Sequence, residues 1–151
     1  MRNNPRKIMC AVDFSDYSPL VLAYGRTMAS EFHSTLYLCH VVPEPVLVAN
    51  NLAGYIEAFG TEAQRIEAAR TQLKKMAEDN NIPCEFLIST GHPADEIERL
   101  ATENNMDMVI AATHGDSGIK RFLIGSVTSR LVKTLTCPIL VLHASETKIK
   151  I

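Results

Sequence analysis

The sequence has no excess of positive charge: 15 Lys and Arg stand against 17 Asp and Glu, a formal net charge of −2. Proteins that bind DNA or RNA directly neutralise phosphates with clustered Lys and Arg, so no nucleic-acid partner is expected. No apolar run approaches the roughly 20 residues that span a bilayer, and no membrane partner is expected. Residues 1–7 lead into a strand-like run rather than into the apolar core of a signal peptide, which makes the cytoplasm the expected location. Cys10, Cys39, Cys84 and Cys137 stand singly, without a Cys-x-x-Cys pair or a metal-ligand spacing. Cys10, Cys39 and Cys84 fall inside apolar runs and Cys137 just precedes one, the setting of reduced thiols that serve as small hydrophobes. The five histidines form no His-Glu-x-x-His pattern, and no metal site is expected. A Walker A motif is missing too, because Lys120 neither follows the required glycine nor precedes a hydroxyl residue. That excludes a P-loop ATPase. Repeats, charge blocks and low-complexity stretches are also lacking.

What is present is the makeup of one globular domain over residues 1–151, with 46% hydrophobic and 21% charged residues. A domain of this size buries roughly 70% of the surface of its unfolded chain and needs no cross-link. Five apolar, branched runs, at 8–12, 36–42, 84–88, 108–112 and 139–142, read as buried strands. Helical spacing separates them. It is clearest where Ile66, Ala69, Leu73, Met76 and Ala77 share one stripe, which predicts a long helix over 57–79. Further helices are expected at 19–31, 93–104 and 126–135, each opened by proline or a capping hydroxyl. Strands alternating with helices imply right-handed crossovers and an α/β doubly wound parallel sheet covered on both faces. Residues 43–54 break the rhythm with two prolines and irregular spacing. They are read as a loop after strand two, either a lid or a dimer contact or plain surface.

In such sheets ligands bind beyond the carboxyl ends of the strands, where the chain order reverses. The first strand ends in Asp13-Phe14-Ser15-Asp16, and the fourth in Thr113-His114-Gly115-Asp116-Ser117-Gly118, followed later by Gly125-Ser126-Val127-Thr128. Glycine lets a backbone amide approach an anion closely. Gly125 and Ser126 sit at the start of the last helix, whose unpaired amides and dipole suit a phosphate, with the Ser126 and Thr128 hydroxyls as further donors. An ordinary turn glycine and N-cap serine would look the same. His114 has no carboxylate or nucleophile fixed beside it and reads as a loop histidine; no catalytic residue is apparent.

Gly115, nine residues, then Gly125-Ser126, preceded by Ala-Ala-Thr-His and followed by Val-Thr, resembles the nucleotide-binding signature of universal stress proteins. The opening Ile8-Met-Cys-Ala-Val-Asp-Phe-Ser15, the His40-Val41 pair, Gly91-His-Pro-Ala-Asp-Glu-Ile97 and Cys137-Pro-Ile-Leu-Val-Leu142 are similar to landmarks of the same family, so the resemblance covers nearly the whole chain. It implies a Rossmann-like five-stranded sheet in the order 3-2-1-4-5 and a regulatory role in stress response. It also implies a bound ATP or AMP; a slow ATP-hydrolysing enzyme is a further reading, for which Asp13 and Ser126 would offer Mg2+ a foothold. In nucleotide-binding members the pattern is Gly, two residues, Gly, nine residues, Gly, then Ser or Thr; here Ala112, Gly115, Gly125 and Ser126 occupy those positions. Alanine thus replaces the first glycine. By the same resemblance Asp13 contacts the ribose or adenine, Ala11 and Val41 flank the base, Ala111 lies beside it, and Val127 and Thr128 join the phosphate clamp. Asp13 has the alternative of capping the first helix. Lys120 and Arg121 either shadow the outer phosphates or are solvated surface. The last strand, Ile139–Leu142, is expected to be an edge that pairs with its twin in a homodimer, or else to be covered by residues 145–151. A dimeric interaction module that has lost the nucleotide is the competing expectation, and Ala112 is its motive.

Overall fold

The computed structural model describes residues 4–44, 51–113 and 125–143. Strand β1 (Lys7–Ala11) shows why the sheet lies inside: Ile8, Met9 and Cys10 are all at 0% exposure. Successive side chains of a strand point to opposite faces, so burial of all three requires a cover on each side. The chain supplies it through α1 (Ser18–Phe32), β2 (Thr35–Pro43), α2 (Leu52–Phe59), α3 (Glu62–Asp79), β3 (Glu85–Gly91), α4 (Pro93–Glu103), β4 (Met108–Ala112), α5 (Ser126–Thr134) and β5 (Ile139–Leu142). The five strands form one parallel sheet in the order β3-β2-β1-β4-β5. Ile8 faces Leu36 of β2 on one side and Met108 of β4 on the other.

Two apolar layers follow from the alternation. Ile8, Cys10, Leu38 and Ile110 pack with Val21 and Leu22 of α1 and with Leu73 and Ala77 of α3. Met9, Cys39 and Val109 pack on the opposite face with Ile97, Leu100 and Ala101 of α4 and Leu131 of α5. Each such large side chain contributes about 2 kcal/mol by leaving water. On the first face α1 lies very close to β1, since a Cβ built on Gly25 would fall 2.2 Å from Cys10 Sγ. An Arg130–Asp95 ion pair links α5 to α4 on the second.

The doubly wound sheet and its order agree with the sequence expectation; three local features differ. The helix predicted over 57–79 is two helices. Gly60, at φ +84°, ends α2 by donating its amide to Ile56 O at 2.8 Å. Thr61 then opens α3 with a reciprocal cap, Oγ1 accepting from Gln64 N at 3.2 Å and Gln64 Oε1 accepting from Thr61 N at 2.9 Å. The segment read as loop over 43–54 is strand at Pro43 and helix from Leu52, where Asn51 Oδ1 accepts from Gly54 N at 3.0 Å. Its residues 45–50 lie outside the described residues. All four cysteines are free thiols; Cys10 and Cys39 are buried, and burial pushes the Cys39 thiol up to about 12. Cys84 stands just before β3 rather than within it and is half-buried, as is Cys137.

Candidate functional site

Beyond the carboxyl end of the sheet the chain leaves β1 towards α1 on one face and approaches α5 from β4 on the other. The strand ends therefore part, and a crevice opens between them. It holds a cavity of about 390 Å3, within the range of roughly 300–1,000 Å3 usual for small-molecule sites. Of the positions singled out in the sequence, Ala11, Asp13, Val41, Ala111, Ala112, Gly125, Ser126, Val127 and Thr128 all line it. Gly115 lies outside the described residues, as do His114, Lys120 and Arg121.

The walls divide by chemistry. Cys39, Val41, Ala111, Ile97 and Leu131, all buried, give an apolar side. Polar groups gather at the starts of α1 and α5. Asp13 Oδ1 accepts from Ser15 N at 3.0 Å and from Ser18 Oγ at 3.3 Å, which folds the turn between β1 and α1 around the carboxylate. The N-cap position of α1 is Tyr17, so Asp13 braces the turn and is not the helix cap. Its Oδ2 has no hydrogen-bond partner among the described residues. Phe14, next in the chain, sits at φ +62°, a left-handed conformation that costs a non-glycine residue about 1–3 kcal/mol.

Among the described residues no side chain caps α5. Gly125, its N-cap, gives its amide to Thr113 O and accepts from Ser129 N at 2.8 Å, which leaves the amides of Ser126, Val127 and Thr128 as the first-turn donors with no acceptor inside the helix. Those three residues line the cavity. The buried Thr128 hydroxyl donates to Ala112 O at 2.7 Å, so it anchors α5 to the end of β4 with a hydrogen that would otherwise be available to an anion. Ala112, itself a lining residue, thus holds the start of α5 through its backbone oxygen. Among the described residues no group of three His, Cys, Asp or Glu is placed to hold a metal ion, and no helix is long and apolar enough to cross a membrane.

The model of the universal stress protein family matches residues 4–143. The chain belongs to the universal stress protein family. A universal stress protein of Methanocaldococcus jannaschii is 32% identical over 138 residues, covering 90% of this chain and 81% of its own. The solved structure of universal stress protein UspA from Lactobacillus plantarum has a TM-score of 0.74 at 24% identity, over 90% of this chain and 96% of that one. A universal stress protein solved in complex with cAMP has a TM-score of 0.67 at 21% identity, over 94% of this chain and 99% of that one. These structures share the fold seen here.

Sequence reasoning about this universal stress protein missed several lining residues, among them Tyr17, Ser18, His40, Pro43, Pro93 and Ile97. Pro93 and Ile97 were visible as the opening of a helix, but nothing in their spacing says that α4 begins at the crevice. His40 stood in the sequence beside Val41 as a family landmark without a role. In the structure its Nδ1 lies 2.8 Å from Val12 O, its ring packs on Phe14 with centroids 4.2 Å apart, and burial holds its pKa below the ordinary value.

Proposed function

We propose that this universal stress protein is an adenine-nucleotide-binding regulatory protein of the cytoplasm, acting in stress response without catalysis of its own. One observation carries the reading: an apolar wall, a carboxylate oxygen of Asp13 and a start of α5, both without a side-chain partner among the described residues, meet in one cavity of about 390 Å3. The apolar side at Val41 and Ala111 suits a flat purine, Asp13 suits ribose hydroxyls, and the amides of Ser126, Val127 and Thr128 suit a phosphate. A relative solved with cAMP supports the same class of ligand. With ATP, Mg2+ would arrive on the phosphates and find Asp13 and Ser126 nearby. Binding would order the crevice and shift the population of surfaces offered to partners.

Melting the purified protein with ATP, AMP, cAMP or buffer tests this directly. A ligand at a hundredfold its Kd stabilises by about 2.7 kcal/mol; identical melting in all four would sink the nucleotide reading. Mass spectrometry of ligand carried through native purification identifies the occupant. Released phosphate should stay at the buffer blank during long incubation with ATP, and a rate above it would make the protein an enzyme.

Ala112, where nucleotide-binding members have glycine, favours a second reading, a dimeric module that works without nucleotide. Both readings include a homodimer. The edge strand β5 pairs only with β4 within the described sheet, and its Ile139, Leu140 and Val141 are half-buried, which invites a twin. Val141→Lys should halve the mass seen by light scattering; an unchanged mass would remove the edge from the interface.

A further inference from the structure

We propose that His40 is the positioning residue that holds Asp13 at the mouth of the cavity. His40 comes from β2 and grips the β1 to α1 turn on both sides of the carboxylate. On the residue before Asp13, its Nδ1 meets the Val12 carbonyl at 2.8 Å. On the residue after, its ring packs against Phe14 at 4.2 Å between centroids. A carbonyl only accepts, so Nδ1 carries the hydrogen and the tautomer is fixed. Val12 N already donates to Cys39 O at 2.9 Å. The imidazole therefore continues the tie between β1 and β2 one acceptor past the end of β1 at Ala11. Phe14, which also packs against the core on the α1 side, would lose with that tie one of the contacts that hold its left-handed backbone at φ +62°. The Asp13 turn, closed by Ser15 N and Ser18 Oγ, depends on the same backbone.

The contribution to ligand selection rests on the nucleotide reading above; the positioning itself does not. Two measurements separate them. In the free protein, the Ser15 amide reports the turn, because it donates to Asp13 Oδ1. His40→Leu should speed its hydrogen exchange about tenfold, while His40→Asn, which keeps a donor near the place of Nδ1, should leave it close to the parent. If His40→Leu does not fold, His40→Phe replaces it, keeping a ring against Phe14 but no donor. Titration calorimetry with AMP and with 2′,3′-dideoxy-AMP then reads the carboxylate. The parent and His40→Asn should prefer AMP, and both His40→Leu and Asp13→Ala should lose the preference. Binding of neither nucleotide by the parent would overturn the nucleotide reading and leave the Ser15 exchange to decide the positioning role. Unchanged Ser15 exchange in the Leu or Phe variant would overturn the positioning role whatever the nucleotides do.

Discussion

The first turns of α3 and α5 solve the same electrostatic problem in opposite ways. Both present backbone amides that no residue inside the helix can satisfy. At α3 the chain satisfies them itself, through the reciprocal Thr61 and Gln64 cap, with Glu62 adding negative charge to the first turn. At α5 the N-cap is Gly125, which has no side chain, and no other side chain among the described residues caps the helix. The α3 start stands on the surface, whereas Ser126, Val127 and Thr128 line the crevice between β1 and β4. A helix start that closes on itself is part of the scaffold. One left open by the described residues, against a cavity and beside an apolar wall and a carboxylate, is the start that the proposed anion would complete.

The largest expected effect comes from closing α5 as α3 is closed. Gly125→Asp supplies the missing cap, since aspartate at that position accepts from the first-turn amides and favours the helix dipole. The free protein should melt at the same temperature or slightly higher. The nucleotide-dependent stabilisation, about 2.7 kcal/mol at a hundredfold Kd, should vanish, because a fixed carboxylate then occupies the anion position. Differential scanning fluorimetry with and without AMP measures both quantities. A surviving shift in Gly125→Asp would mean that α5 does not hold the phosphate.

The converse change opens α3. Thr61→Ala removes the side-chain acceptor of the cap and should cost about 1 kcal/mol in urea unfolding. Any nucleotide shift should persist, since Thr61 bonds to Gln64 and neither residue lines the cavity. Loss of nucleotide response with Thr61→Ala would erase the distinction between the two starts.

The contrast also explains how much of the molecule the sequence discloses. The sheet was legible because β1 and β4 are short and apolar on both faces, as parallel strands covered on both sides are, and helical spacing separates them. Asp13, Gly125, Ser126 and Thr128 were legible because the carboxyl ends of β1 and β4 and the start of α5 must meet at the point where the chain order reverses, whereas Ala11, Val41, Ala111, Ala112 and Val127 were legible only through the family resemblance. The break between α2 and α3 was missed although Thr61 and Gln64 carry the capping spacing, because Ala58, Ile66 and Ala69 let an apolar stripe run past Gly60. His40 was missed for a different reason. Its partner is the carbonyl of Val12, 28 residues away, and a side chain that binds backbone leaves no spacing to read.

A smaller effect tests the β1 side of the crevice. Burial is the main reason that the pKa of His40 lies below its ordinary value of 6.5, against the opposing pull of the Val12 carbonyl and Asp13. The unfolded chain therefore binds more protons than the folded one as pH falls below about 6.5, and stability must decline there. The stabilisation is present above that pH and is lost on acidification towards the folded pKa. Glu96 behaves in the same sense at lower pH, since Arg99 and Ser89 hold its carboxyl below the usual range. Urea midpoints should fall from about pH 7 to about pH 5, and His40→Asn should flatten the upper part of that slope. An equal slope in both proteins would assign it to another group.

The smallest effect belongs to the other end of α3. Lys75 Nζ and Asp79 Oδ2 lie 2.8 Å apart, yet both side chains are mostly in water, at 73% and 60% exposure. An exposed pair gains little over solvation and is screened by salt. Its order along the helix, with the base preceding the acid, is the less favourable one. Lys75→Ala should leave the urea midpoint unchanged within error, in low salt or high. If it cost as much as Thr61→Ala, then α3 would owe its stability to surface charge as much as to its capped first turn, and the self-sufficiency that sets that turn apart from α5 would lose its meaning.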